Sequence, residues 1–238
     1  MNKTAIEWCD ASWNPVTGCN HGCSYCYARK IAERFKGSKA WPQGSEPMIH
    51  PNRSNDPEMM KKPQTIFVCS MADLFGEWVP DHWIRYVMES CDMAPWHTYI
   101  FLTKNPKRYL TIPGQYLGQS NFWFGTTVTN THDADQRIHW LQRMPEGNTF
   151  ISFEPLMEEI KHLDLHNIKQ VIVGARTNPS NEITPEMVQP IGEATCPGVV
   201  PTIKMFCKDS MPVWAKCRRE LAWPLNKNKE SPPVQQGV

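Results

Sequence analysis

Six short apolar runs recur along the chain, separated by stretches with helical periodicity. The runs are residues 65–70, 98–103, 121–128, 149–155, 170–175 and 202–207, and a less apolar seventh candidate covers residues 12–18. Continuous apolar runs, unlike strictly alternating ones, are typical of parallel strands that are buried on both faces of a sheet. The pattern therefore predicts an α/β protein with a parallel sheet.

The intervening stretches predict helices over residues 26–35, 80–94, 133–144 and 184–194, the last broken by Pro190. In the first of them Ile31, Ala32 and Phe35 share one face, and the pattern stops at Gly37. A doubly wound sheet would also fit this alternation, but the chain has no glycine-rich dinucleotide-binding fingerprint. With 238 residues the chain is near the lower end for a full α/β barrel, and we predict a single domain over residues 1–225.

Two segments lack any periodicity. Residues 36–64 are rich in proline and form a connection that is long for a structureless loop, which predicts a functional loop or lid. Residues 226–238 are polar and contain two adjacent prolines, which predicts a disordered tail.

Composition narrows the function classes. The formal net charge of +1 provides no global field, so any contact with nucleic acid must rest on a local basic patch. No run of about 18 apolar residues exists to span a membrane, and the first residues lack the apolar core of a secretory signal. Nine cysteines, an odd number, argue against a fully paired secreted framework. We therefore expect a cytoplasmic protein.

Several predicted strands become polar where they end. In parallel α/β folds the carboxyl ends of the strands and the loops that follow them build the active site. Each polar residue taken alone could simply cap a strand as it reaches water. As a set they predict one shared polar mouth, formed by Ser70, Asp73, Thr103, Lys104, Thr127, Thr129, Asn130, Ser152, Glu154, Arg176, Asn178 and Lys208.

Three cysteines lie within eight residues, at Cys19, Cys23 and Cys26, between the first predicted strand and the first predicted helix. Two metal sites fit this spacing. A structural zinc ion would need a fourth ligand such as His21 or Cys9, although no second pair of Cys or His follows at finger or ribbon distance. Alternatively, the three thiolates hold three irons of a [4Fe–4S] cluster and leave the fourth iron open.

The C-x3-C-x2-C spacing, with Tyr25 directly before the third cysteine, resembles the signature of the radical S-adenosylmethionine (SAM) superfamily. Further blocks resemble a branch of that superfamily common in phage and mobile bacterial genomes. They cover most of residues 6–208 and read "IEWCDASWNPVTGC", "SMADLFGE", "LTKNPKRY", "SFEPL" and "VIVGA". The chain departs from that branch after "VIVG", where Ala175 and Arg176 replace the Gly-Glu that relatives tend to have.

The resemblance implies a partial (β/α)6 TIM-type barrel that binds a [4Fe–4S] cluster and SAM. In that superfamily the open iron binds the amino and carboxylate groups of SAM. One electron from the reduced cluster then cleaves SAM to a 5′-deoxyadenosyl radical, which removes a hydrogen atom from the substrate. The electron comes from an external one-electron reductant of the flavodoxin or ferredoxin type. The protein orients the cofactors and excludes competing reactions.

The resemblance also implies roles for residues. Cys19, Cys23 and Cys26 are the expected cluster ligands. The expected SAM contacts are Tyr25, Ser70, Met71, Asp73, Thr127, Thr129, Ser152, Glu154 and Gly174. Of Ser152 and Glu154, we expect only one to face the barrel. Three cations at the mouth are expected to clamp an anionic substrate, namely Lys104, Arg176 and Lys208.

The leading hypothesis for the substrate is a modified nucleobase or nucleotide, in an isomerase-like or aminomutase-like reaction of phage DNA hypermodification. A base in DNA would have to be extruded into the barrel. The alternatives are radical modification of a peptide or small metabolite, and a non-enzymatic, zinc-stabilised binding module. The binding module predicts exposed basic clusters, and the sequence offers only one, at residues 216–219.

Overall fold

The computed structural model describes residues 1–39, 41–145, 147–176, 182–195, 203–212 and 220–225. Its strands are β1 Asn2–Lys3, β2 Ala11–Trp13, β3 Val16–Thr17, β4 Met48–Ile49, β5 Thr65–Val68, β6 Thr98–Thr103, β7 Phe122–Thr127, β8 Asn148–Phe153, β9 Gln170–Val173 and β10 Lys204–Cys207. Its helices are α1 Tyr27–Arg34, α2 Asp56–Met59, α3 Asp81–Asp92, α4 Gly114–Leu117, α5 Thr131–Gln142 and α6 Pro185–Ala194, with 3₁₀ turns at Pro51–Arg53 and Pro106–Thr111.

The main sheet has the strand order β1-β2-β5-β6-β7-β8-β9-β10. From β2 to β10 all neighbours are parallel, and only β1 pairs in the antiparallel sense, with β2. The seven parallel strands curl into a half-barrel, which confirms the predicted partial TIM-type α/β fold. All six strong apolar runs form parallel strands, because buried parallel strands need apolar residues on both faces.

The two faces of the sheet bury different sets of side chains, since successive residues of a strand point to opposite sides. The outer face packs against the helices through residues such as Ile66, Tyr99 and Phe124. The inner face carries a smaller aromatic cluster, made of Trp8, Cys9, Phe67, Ile100, Trp123, Phe150, Ile172, Phe206 and Trp223. The interior of the half-barrel is therefore filled by side chains where this aromatic cluster lies.

Residues 220–225 cross the amino ends of the strands. The Glu220 N–H donates to the Met205 carbonyl at 2.9 Å, and the Ala222 N–H donates to the Gln170 side-chain oxygen at 2.8 Å. The Trp223 ring lies 4.9 Å from Trp123 between ring centroids. This segment closes one end of the half-barrel and leaves the carboxyl ends of the strands as the accessible end.

The three residues assigned to one face of helix α1 differ in burial. Ile31 and Phe35 are 38% and 49% exposed, whereas Ala28 and Ala32 are the residues that face inward. Large residues at positions 27, 31 and 35 and small ones at positions 28 and 32 have the same four-residue period. The sequence cannot distinguish which of the two faces packs inward, and close packing of the helix selects the alanines.

Residues 36–64 also differ from a structureless loop. They contain β4, which pairs antiparallel with β3, then a 3₁₀ turn and α2. The Trp13 indole N–H donates to the Arg53 carbonyl at 2.8 Å, and the His50 N–H donates to the Pro15 carbonyl at 2.7 Å. Such short elements show no sequence periodicity, yet they fix this segment against the start of the cysteine loop.

None of the helices within the described ranges has the length and apolar character needed to cross a membrane. The predicted tail at residues 226–238, the basic cluster at residues 216–219 and the mouth residue Asn178 lie outside the described residues.

Candidate active site

A cavity of ≈ 390 Å³ lies at the carboxyl ends of the parallel strands. The structure brings thirteen of the fifteen predicted site residues to its wall. The thirteen are Cys19, Cys23, Tyr25, Cys26, Ser70, Met71, Asp73, Lys104, Thr127, Ser152, Glu154, Arg176 and Lys208. Because parallel strands end at the same edge, residues far apart in the sequence converge here.

The three motif cysteines lie on one loop and are half-buried, and none of the cysteines in the described ranges forms a disulfide. Cys26 caps α1, since its Sγ accepts the Arg29 N–H at 3.4 Å. Burial is the main reason that the pKa of the Cys19 thiol rises to about 11. The neighbouring Asp73, Cys23 and Cys26 would raise this pKa further if charged. A thiolate at Cys19 therefore needs a positive partner, which a bound metal would provide.

Cys19, Cys23 and Cys26 give the cavity wall three thiol donors. Thiolates are the ligands of a [4Fe–4S] cluster, and each cysteine binds a different iron there, so this donor set fits a cluster with one iron left without a cysteine. A structural zinc ion also accepts thiolates but takes four ligands around one centre. Among the described residues, no three His, Cys, Asp or Glu side chains are grouped to hold one metal ion.

Gly18 explains how the cysteine loop reaches its position. Its φ is +84°, and a Cβ built on it would lie 2.1 Å from the Glu46 carbonyl oxygen. Only glycine combines this left-handed conformation with such a close backbone approach. The next residue is held as well, since the Cys19 N–H donates to the Ser45 carbonyl at 2.9 Å. The segment after α1 therefore contacts the cysteine loop and supports it.

Asp73 ties the cysteine loop to the sheet. Its carboxylate contacts His21 Nε2 at 2.6 Å and accepts from the Thr103 hydroxyl at 2.7 Å and the Lys104 N–H at 2.9 Å. It also accepts from the Phe75 N–H at 3.0 Å. Burial by itself raises the pKa of Asp73, but these hydrogen bonds outweigh it and hold the pKa below its usual value. A direct contact of Asp73 with SAM stays a prediction, because both of its oxygens already serve the scaffold.

Two tyrosines extend from the cysteine loop into the wall. The Lys104 Nζ donates to the Tyr25 hydroxyl at 3.0 Å, and the Tyr27 hydroxyl donates to the Ser70 carbonyl at 3.0 Å. Ser70 and Met71 form a turn after β5, and Asn14 Oδ1 accepts the Met71 N–H there at 2.9 Å. Asn14 is not among the site residues predicted from the sequence. The Asn-Pro pair that follows Trp13 is a turn signal that could have found it.

Glu154 is the centre of a second network. Its Oε1 accepts from Lys208 Nζ at 2.8 Å, and its Oε2 accepts from the Trp8 indole at 3.1 Å and the Ser152 hydroxyl at 2.9 Å. The expectation that only one of Ser152 and Glu154 faces the barrel is wrong, because residues two apart on a strand share a face. Burial lowers the pKa of Lys208, but Glu154 more than compensates, so that this pKa is raised.

The two predicted site residues that do not line the cavity are Gly174 and Thr129. A Cβ on Gly174 would lie 2.9 Å from Glu154 Oε1 and 3.1 Å from Lys208, so glycine leaves space for that ion pair. Thr129 donates its hydroxyl to Asp133 at 2.7 Å, at the start of α5. Of the two predicted threonines, only Thr127 lines the cavity.

The cavity wall combines positive charge with aromatic rings. Its cations are Arg29, Lys30, Lys104, Arg176 and Lys208, against the acids Asp73 and Glu154. Its rings belong to Trp8, His21, Tyr25, Tyr27, Trp41 and Phe67. Both acids are already hydrogen-bonded to other wall residues. This arrangement favours a ligand that carries negative charge and a flat ring.

Comparison with solved structures finds the same fold in spore photoproduct lyase. A cysteine-to-serine mutant of that protein is 12% identical, with a TM-score of 0.51 over 73% of this chain and 58% of that chain. A double mutant with bound AdoMet and dinucleoside spore photoproduct is 10% identical, with a TM-score of 0.48 over 77% and 60%. At these identities the likeness is one of fold, and this chain spans less than two thirds of those structures.

Curated protein sequences give no significant match to this chain. Residues 3–197 match the family described as "Protein of unknown function (DUF5131)". The match covers the cysteine loop, the strands from β2 to β9 and nearly all of the cavity wall. The chain therefore belongs to the DUF5131 family.

Proposed function

We propose that this protein is a radical SAM enzyme. The observation that carries the proposal is that the three thiols of one C-x3-C-x2-C loop line a single cavity at the open end of a half-barrel. Cys19, Cys23 and Cys26 are the proposed ligands of a [4Fe–4S] cluster. When bound, the cluster and SAM supply the electron transfer and the 5′-deoxyadenosyl radical that no side chain can provide. An external carrier of the flavodoxin or ferredoxin type is the proposed electron source, which places the enzyme in a reducing, cytoplasmic environment.

The residues of the chain bind and orient these groups. The turn at Ser70 and Met71 is held by Asn14 and Tyr27, so its backbone is fixed beside the cysteine loop. Thr127 and Ser152 offer hydroxyl groups in the wall, and Glu154 offers a carboxylate to ribose or amine. Tyr25 is the proposed ring against adenine. Thr129 supports this wall through Asp133, and Gly174 leaves room for the Glu154–Lys208 pair.

The proposed substrate is a nucleotide or a modified nucleobase, in DNA of phage origin and with an isomerase-like outcome. The support is the cationic and aromatic wall, which includes Lys104, Arg176 and Lys208. These three cations are the proposed phosphate contacts. Bidentate contact by arginine suits a phosphate group, and aromatic faces suit a base. A base within DNA would be rotated out of its stack to enter a cavity of this size.

The test is anaerobic reconstitution with iron and sulfide, followed by SAM and dithionite. We expect about four irons per chain and release of 5′-deoxyadenosine, detected by mass spectrometry. Cys23→Ala should lose both. The matched control is Cys91→Ala, because Cys91 is buried in α3 and does not line the cavity.

One tightly held zinc ion with no cluster and no SAM cleavage would contradict the proposal and favour a zinc-stabilised binding module. If SAM is cleaved, nucleosides from phage DNA are the first substrates to screen. Turnover of a peptide or small metabolite but of no nucleoside would overturn the substrate class while leaving the radical chemistry in place.

A further inference from the structure

Helix α1 presents an apolar stripe to solvent. Tyr27, Ile31 and Phe35 are 54%, 38% and 49% exposed and stand four residues apart, so they form one continuous row along the helix. Apolar residues are usually scattered singly on a surface, and a row of this kind marks an interaction site.

The helix and the five residues after it concentrate positive charge. Residues 27–39 contain five cations, Arg29, Lys30, Arg34, Lys36 and Lys39, and one acid, an excess of four, whereas the whole chain has a net charge of +1. All five cations are exposed. The acid, Glu33, accepts hydrogen bonds from the Ser45 N–H and hydroxyl and does not neutralise the helix surface. A partner for this face must therefore be acidic.

This surface borders the proposed cluster. Helix α1 begins directly after Cys26, whose Sγ caps it by accepting the Arg29 N–H. The first exposed apolar residue, Tyr27, follows that cysteine and also lines the cavity. The row therefore begins at the wall of the cavity that the three thiols line.

We propose that the exposed face of α1 is the docking surface for a small acidic one-electron carrier protein. This inference rests on the proposed function, which requires one electron from outside. A carrier docked here would supply the one electron needed by a cluster held by the three cysteines, and the carrier would itself be oxidised by one electron. The apolar row forms the dry centre of the contact, and the surrounding cations steer the acidic carrier and set its orientation.

Nucleic acid is the competing occupant of a cationic surface. A single strand binds by stacking its bases on aromatic rings, and the middle of this row is Ile31, which has no π-face. An apolar row flanked by charges matches the anatomy of a protein interface instead. Arg29 and Lys30 also line the cavity, whereas Arg34, Lys36 and Lys39 do not, so the charge that is specific to the outer row comes from these last three residues.

The test uses the reconstituted protein and purified bacterial flavodoxin, an acidic flavoprotein, as the probe. Binding is measured by calorimetry at low and high salt. The variants are Arg34→Glu with Lys36→Glu, and Ile31→Ser with Phe35→Ser, none of which lines the cavity. The control is Lys61→Glu with Lys62→Glu, which reverses the same charge at exposed positions outside α1. We expect the α1 charge variant to weaken flavodoxin binding by about tenfold or more at low salt and the control to leave it within about twofold.

SAM cleavage driven by dithionite separates this proposal from the proposed function, since a small reductant needs no docking surface. If dithionite supports cleavage in all variants while reduced flavodoxin fails only with the α1 variants, the docking surface is established. If dithionite works and the α1 variants respond to flavodoxin like wild type, the docking proposal is overturned and the radical function stands. If the α1 charge variant weakens binding of a single-stranded oligonucleotide and leaves flavodoxin binding intact, the face serves nucleic acid and the proposal is also overturned.

Discussion

In this site, single carboxylate groups bind residues that are far apart in the sequence. Glu154 accepts hydrogen bonds from Trp8, which is 146 positions away, and from Lys208 beyond the last described strand. Asp73 joins His21 of the cysteine loop to Lys104 at the end of β6. These carboxylates hold the wall in place because a buried carboxylate must be satisfied by several donors.

Gly18→Ala tests how strictly the cysteine loop depends on its backbone. Its matched control is Gly37→Ala, since Gly37 has a φ of +86° but no heavy atom within 4 Å of a built Cβ. The conformational cost alone is about 1–2 kcal/mol, which we expect for Gly37→Ala in urea denaturation. Gly18→Ala adds the clash with the Glu46 carbonyl, and we expect a loss of roughly 3 kcal/mol or more. Equal losses in the two variants would show that the 2.1 Å approach has no energetic consequence.

Among the secondary-structure elements, the short β3–β4 pair has a structural role. It connects the cysteine loop to the segment after α1, and His50 follows it directly. The His50 ring is buried and lies 2.8 Å from the Thr17 hydroxyl. Burial first, and the positive charge of Arg53 second, lower the pKa of His50 to about 4. The folded protein thus keeps this ring neutral where the unfolded chain would protonate it.

Stability should therefore depend on pH through His50. Below the ordinary pKa near 6.5 the His50 side chain is protonated in the unfolded chain but stays neutral in the folded protein. The free energy of unfolding therefore falls as the pH drops below 6.5, and it levels off near pH 4. At about pH 5 this loss is roughly 2 kcal/mol. His50→Gln retains a hydrogen-bonding group but does not titrate. We expect denaturation curves of wild type to lose about 2 kcal/mol more than the variant between about pH 7.5 and pH 5, and parallel losses would contradict the assignment.

The half-barrel as a whole is closed at the amino ends of its strands and open at their carboxyl ends. Residues 220–225 close the first end, where Trp223 packs on Trp123 and Phe150 and donates to the Trp8 carbonyl at 2.8 Å. Trp8 in turn donates to Glu154 in the cavity wall. The closure at one end and the site at the other therefore share one residue.

Trp223→Ala should destabilise the whole molecule. A buried tryptophan replaced by alanine costs about 3–5 kcal/mol through lost burial and the remaining cavity. Trp96→Ala is the control, since Trp96 is 37% exposed, and we expect a loss of about 1 kcal/mol there. The measurement is thermal and urea unfolding of both variants. A cost for Trp223→Ala as small as that of Trp96→Ala would show that residues 220–225 do not close the half-barrel.

The sequence by itself determined the parallel sheet and the location of the mouth. Strands buried on both faces require uninterrupted apolar runs, and runs such as residues 98–103 and 149–155 mark β6 and β8 to within a few residues. Polar residues that follow such runs must converge, because parallel strands end at one edge. Thirteen of the fifteen predicted site residues accordingly line one cavity.

Only the tertiary structure decided which side chains meet and which face of an element turns inward. Period-four patterns of small and large residues coexist on α1, and packing alone buried the alanines and exposed Ile31 and Phe35. Within the aperiodic segment 36–64, β4 pairs with β3 and the Arg53 carbonyl accepts from Trp13, and both partners come from outside the segment. Hydrogen bonds such as that from Trp8 to Glu154 join residues far apart in the chain. Their geometry depends on how the sheet curls, which local sequence patterns do not encode.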